Sequence, residues 1–119
     1  MTVTLPYPIA VNRIWRHANG RTHLSAEARA WKRDAQLLAR YAGARVIDGP
    51  VRVQMTLHPR ATKSGAASRS RLDVDAPIKI TLDALEGVAY ADDWQVHEVR
   101  SVIGEPMTGG GLTVVVEAT

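Results

Sequence analysis

From Val51 to His58 the side chains alternate. Val51, Val53, Met55 and Leu57 are apolar, and Arg52, Gln54, Thr56 and His58 between them are polar. A period of two specifies a strand buried on one face only. That face needs a cover, and the chain supplies one upstream. Ala28, Trp31, Ala35, Leu38 and Ala42 recur at alternating steps of three and four, the spacing of an amphipathic helix. Ser25 suits its N-cap, Glu27 suits the helix dipole in the first turn, and Gly43 suits its end.

The remaining elements follow the same logic. Thr2–Leu5 reads as a short strand stopped by Pro6-Tyr7-Pro8. Residues 9–24 read as an irregular arm with a turn signal at Asn19-Gly20. A second helix is predicted from Pro77 to about Glu86, because proline favours the first helical position and Gly87 ends the pattern. Its Ile78, Leu82 and Leu85 form one face, and Lys79, Asp83 and Glu86 form another. Val96–Ile103 and Leu112–Glu117 read as strands flanking the turn residues Gly109-Gly110-Gly111, a pair able to form a hairpin. The order is β-α-β-α-β-β. This is an α+β domain, residues 1–119, with two helices packed on a mixed or antiparallel sheet.

Composition narrows the classes. The chain has 119 residues, 45% apolar and 23% charged, an ordinary soluble globular balance. Cysteine is absent, which removes disulfides and thiolate metal sites and fits a reducing cytoplasm. The N-terminal MTVTLPYPIAVNR lacks the basic start of a secretion signal, and no apolar run nears the roughly 18 residues of a membrane span. No phosphate-binding P-loop, glycine-rich dinucleotide motif or nucleophile elbow is present, so no nucleotide cofactor is expected.

Charge is divided along the chain. Residues 1–72 carry thirteen Lys/Arg against three acids, and residues 73–119 carry nine acids against two bases. One reading is a polyanion partner on a basic surface beside a site that needs carboxylates; the other is two halves that neutralise each other. Arg29, Arg33, Gln36 and Arg40 share one helix face, which serves either as a solvated surface or as a phosphate contact. The stretch PRATKSGAASRS, residues 59–70, predicts a flexible basic loop carrying Arg60, Lys63 and Arg69 and leading through Arg71 into the acids.

Those acids are Asp73 and Asp75 in RLDVDAPIK, followed by Lys79, with Asp92-Asp93 further on. In an extended segment residues two apart project to one side, and two carboxylates held together repel unless a cation or proton joins them. Hard cations such as Mg²⁺ take such oxygens. The alternative is that Asp73 and Asp75 start the helix and that Asp92-Asp93 marks a turn. Basic groups beside clustered carboxylates are the composition expected of metal-dependent phosphodiester hydrolysis. His17, His23, His58 and His97 show no ligand spacing and read as structural or surface groups. Trp94, beside Asp93, reads as core rather than as a base-stacking surface.

With LPYPIAVNRIWRH, GRTHLSAEARAW, the basic loop, LDVDAPIKITLDALEG and VAYADDWQVHEV, nearly the whole chain resembles the RusA family of Holliday junction resolvases. The combination of D-x-D, a lysine four residues later, L-D-A-L and A-D-D-x-Q-V is specific. The resemblance implies a homodimeric, Mg²⁺-dependent endonuclease, with Mn²⁺ as a substitute, that nicks opposed strands of a four-way DNA junction. It implies Asp73, Asp75 and Asp93 as metal ligands (Asp92 as the alternative), Lys79 as the functional lysine and Asp83 as a supporting group. Arg60, Lys63, Arg69 and Arg71 would hold DNA near the metal, and Arg29, Arg33 and Arg40 would extend the grip. One departure is Ala76, where the family often has asparagine after D-x-D.

Overall fold

The computed structural model describes residues Met1–Thr119. Its elements are β1 (Thr2–Leu5), β2 (Trp15–Ala18), β3 (Arg21–Leu24), α1 (Ala26–Tyr41), β4 (Val51–His58), α2 (Ile78–Leu85), β5 (Val96–Ile103) and β6 (Gly111–Ala118), with short 3₁₀ turns at Val11–Arg13 and Asp93–Gln95. A four-stranded sheet has the order β1-β6-β4-β5. β6 runs antiparallel to both β1 and β4, and β5 runs parallel to β4. The mixed sheet with two helices matches the sequence reading.

The alternation in β4 is expressed fully. Val51, Val53, Met55 and Leu57 are buried, and they meet Leu112, Val114 and Val116 of β6, which sit across from them in register. Ala28, Trp31, Ala35 and Ala39 of α1, with Ile80, Ala84 and Leu85 of α2, complete one core cluster. Each large side chain buried there contributes about 1.5–3 kcal/mol. The helical stripe differs from expectation at its C-terminal end. Leu38 and Ala42 are exposed and Ala39 is buried, because the face turned to the sheet drifts by one position over the last turn. Gln36 is not on a free face either: its side chain donates to the carbonyl of Ala84 at 3.1 Å, tying α1 to α2.

Caps fix the ends of α1. Ser25 Oγ accepts from the Ala28 amide at 3.1 Å and donates to the Arg13 carbonyl at 2.7 Å. At the other end Gly43 has φ of 91°, and the amides of Gly43 and Ala44 reach back to the carbonyls of Arg40 and Ala39. This is a Schellman closure, which needs a left-handed residue at Gly43.

Two expectations about the strands are corrected. Residues 15–24 form a hairpin, β2–β3, turned by Asn19 and Gly20, both at positive φ. Apart from the half-buried Leu24, its residues are exposed, so no alternation marks the strands. β5 and β6 do not pair as a hairpin. β4 lies between them, because β5 returns through α2 as the parallel partner of β4. A parallel return needs a crossover rather than a tight turn. No helix is long and apolar enough to cross a membrane.

Candidate active site

The crossover β4–α2–β5 places acids at both ends of α2. Before the helix, a turn over residues 73–78 is closed by Ala76 N to Asp73 O at 3.0 Å and Ile78 N to Asp75 O at 3.1 Å. Three neighbours hold this turn. Tyr7 Oη accepts from the Leu72 amide at 2.9 Å, the ring of Tyr7 is capped by Arg60 at 4.1 Å, and Ser101 Oγ donates to the Val74 carbonyl. Asp73 and Asp75 are exposed, and their carboxylates take no hydrogen bond and no ion pair. They are free to bind something else.

After the helix, Asp92 and Asp93 divide the work. Asp92 is the N-cap of the Asp93–Gln95 turn, its carboxylate accepting from the Trp94 amide at 2.9 Å, and Gln95 completes a capping box. The same Gln95 amide donates to the carbonyls of Ile47 and Gly49 at 2.7 and 2.8 Å, pinning the turn to the strand entry. The buried Tyr90 donates to the Leu82 carbonyl at 2.7 Å and ties the turn to α2. Asp93 is thereby left pointing away from the capping work.

The first turn of α2 meets the acidic turn before β5 at Lys79. Its ammonium donates to Asp83 Oδ1 at 3.1 Å and lies 3.9 Å from Asp93 Oδ2. The hydrogen bond that Lys79 donates to Asp83, then the charge of Asp83, hold the Lys79 pKa above its ordinary value, with Asp93 and Glu86 adding to the effect. Asp83, Glu86 and Asp93 bring carboxylate oxygens within 4.8 Å of one another. Asp73 and Asp75 lie outside that trio. Asp75 instead shares a cavity of about 260 Å³ with Lys79 and Asp83, and Asp73 shares a neighbouring open cavity with Arg71 and Asn12. Ala76 lines both cavities.

Sequence reasoning passed over two residues at this site. Glu86 stands on the same helical face as Lys79 and Asp83, and that spacing was the available signal. Lys32 lines the Asp75–Lys79 cavity. By contrast, Arg29, Arg33 and Arg40 line none of the cavities that hold the acids, and Arg29 donates to the Leu24 carbonyl at 2.8 Å. The basic segment 59–70 folds back on itself: Thr62 N bonds Ala66 O at 2.8 Å and Ser68 N bonds Arg60 O at 2.9 Å. Lys63 and Arg69 are exposed on it. Trp94 is 80% exposed, against the expectation of a core residue, and meets His97 edge to face. It follows the cap residue on an outer turn, where no core surface is offered to it.

A family model described as endodeoxyribonuclease RusA matches residues 6–117. The chain belongs to the RusA endodeoxyribonuclease family. Similar RusA proteins named crossover junction endodeoxyribonuclease occur in Shigella sonnei strain Ss046 and Escherichia coli strain K12. Each is 34% identical over 112 residues, spanning 92% of this chain and 87% of the relative. The RusA protein of Enterobacteria phage 82 is also 34% identical, over 92% of this chain and 86% of its own length.

Proposed function

We propose that this chain is a Mg²⁺-dependent endodeoxyribonuclease that resolves four-way DNA junctions by paired nicks, working as a homodimer in the cytoplasm, with residues 1–119 acting as one domain. The observation that carries the reading is the ion pair of Lys79 with Asp93, beside its hydrogen bond to Asp83, which brings the first turn of α2 against the acidic turn before β5. The names of the relatives, crossover junction endodeoxyribonucleases, point to the substrate.

The donor set fits a hard divalent cation. The converging group, Asp83, Glu86 and Asp93, is made of carboxylates alone, with no histidine in it and no cysteine in the chain, and Asp73 and Asp75 add two exposed carboxylates outside it. We assign Asp73, Asp75 and Asp93 to Mg²⁺ or Mn²⁺. Asp92 is set aside because its carboxylate is engaged as a cap. When bound, such a cation supplies Lewis-acid charge to the phosphate and acidifies a water. Lys79 donates to a non-bridging phosphate oxygen and offsets the charge that builds there during in-line displacement. Asp83 holds the Lys79 ammonium ready for that contact. Arg71, beside Asp73, grips the backbone near the cut, while Lys63 and Arg69 on the folded-back basic loop and Arg60 at its base extend the grip. Arg29, Arg33 and Arg40 on the exposed face of α1 take more distant phosphates. Two copies related by a two-fold axis present two such sites to the matching arms of a junction.

A second ligand set has its own support. Asp83, Glu86 and Asp93 are the three carboxylates that already converge, with Lys79 as their present counter-ion.

The test is incubation of the protein with a synthetic four-way junction, a flap and a linear duplex, with and without Mg²⁺. Metal-dependent symmetric nicks in the junction are expected. Binding without nicking at any Mg²⁺ or Mn²⁺ level would mark a branched-DNA-binding dimer instead. Equal cutting of the flap would mark a broader structure-selective nuclease.

A further inference from the structure

The cavity that holds Asp75, Lys79 and Asp83 has a second wall, which phosphodiester hydrolysis does not use. That wall is apolar. It is built from Val11, Ile14, Trp15 and Leu24, the residues that lead into and form the β2–β3 hairpin. Trp15 leaves 48% of its surface open and Val11 60%. The volume, about 260 Å³, is several times the roughly 30 Å³ share of one water, so the cavity is built on the scale of a ring system.

A cavity lined by apolar side chains, an indole among them, together with charged groups suits a ligand with an apolar face and polar edges. An apolar protein surface would bury Asp75, Lys79, Asp83 and Lys32 against itself at a heavy desolvation cost. Such surfaces are depleted of charge at their centres. A nucleobase meets both walls. Its face stacks on indole, and its edge meets the polar lining, where Lys32 is the charged group that neither the metal nor the phosphate engages. It also arrives attached to the nucleotide whose phosphate the neighbouring acids and Lys79 address.

We infer that this cavity receives a nucleobase unstacked from the DNA next to the cleaved phosphodiester, with Trp15 as its stacking surface. This rests on the nuclease reading above. Leaving the stack is easiest where stacking is already interrupted, as at the exchange point of a junction, so the cavity favours a branch point over a continuous duplex. A shape preference thus comes from one pocket within a single protomer, apart from the preference that a two-fold dimer supplies.

The experiment is a cycle between Trp15 and the base. Single-turnover cleavage in Mg²⁺ is measured on a four-way junction and on junctions with an abasic site on either side of the cut. The proteins are the unmodified chain, Trp15→Ala, Trp15→Phe and Trp94→Ala. Removing the base at one of the two positions is expected to slow the unmodified chain about tenfold to hundredfold. Trp15→Ala should slow cleavage of the intact junction by a similar factor, and the two losses together should not multiply. Trp15→Phe should restore most of the rate and the coupling. Trp94→Ala, a change at another exposed indole, should leave the coupling intact.

Losses that multiply, or a coupling that follows Trp94 rather than Trp15, would overturn the inference while leaving the nuclease reading in place. So would a Trp15→Ala protein that cuts normally but sediments as a monomer, which would assign the wall to a second copy. A chain that cuts no junction under any metal would overturn both.

Discussion

Lys79 Nζ lies 3.9 Å from Asp93 Oδ2, so the first turn of α2 and the turn before β5 meet in one ion pair. These residues belong to two acidic stretches that the sequence does not force together. The parallel β4–α2–β5 crossover brings them into contact, with Gln95 and Tyr90 as its fastenings. Lys79 occupies the place of a counter-ion among carboxylates that would otherwise repel.

Replacing Lys79 with glutamine should therefore separate catalysis from stability. Lys79 is largely exposed, and exposed ion pairs are worth roughly 0–1 kcal/mol. The melting temperature should hardly move. Junction cleavage should fall by about 10²–10³-fold, the usual loss when one charge-stabilising donor is removed. A cleavage rate within a few fold of the unmodified chain would remove Lys79 from the chemistry.

Asp75→Asn is expected to abolish cutting while junction binding stays or tightens, since a negative charge near phosphate is removed. Gel-shift titration in parallel with cleavage reads both effects. Cleavage that survives in Asp75→Asn but disappears in Asp83→Asn would favour the Asp83–Glu86–Asp93 set.

How much of this was legible depends on which force set each feature. The β4 alternation and the α1 stripe announce themselves because burial imposes a period. The β2–β3 hairpin has no buried face, so only Asn19-Gly20 marked it. The pairing of β5 with β4 is decided by how α2 packs, a long-range choice with no local signature. The acids were visible as residues but their roles were not: D-D-W-Q already contains the spacing of a capping box, and that assigns Asp92 to the turn and frees Asp93. Trp94 misled because large aromatics are usually interior, whereas here the chain turns outward.

Arg69 and Arg71 flank the approach to Asp73, and Arg71 shares its cavity. Changing both to alanine should flatten the dependence of log affinity on log salt by about one to two units, since each phosphate contact contributes about 0.9. Fluorescence anisotropy across a salt series measures the slope. An unchanged slope means that neither residue touches phosphate.

Tyr90 predicts the alkaline limit of the fold. Burial first, then the charges of Asp93, Glu86 and Asp83, push its phenol well above the ordinary value near 10. The folded chain thus keeps this proton where the unfolded chain has lost it. Below pH 10 Tyr90 adds no pH dependence, and above it stability falls with a slope approaching one proton. Urea unfolding at several alkaline pH values should show the decline, and Tyr90→Phe should lessen it. An identical decline in Tyr90→Phe would place its source elsewhere.

The most direct measurement is a crystal structure of the protein with Mn²⁺, located by its anomalous signal. An ion bound by Asp73, Asp75 and Asp93 is expected, with Lys79 released from Asp93 and still held by Asp83. An ion seated between Asp83 and Glu86 with Asp73 and Asp75 unengaged, or no ion near Asp93 at high Mn²⁺, would contradict the assignment.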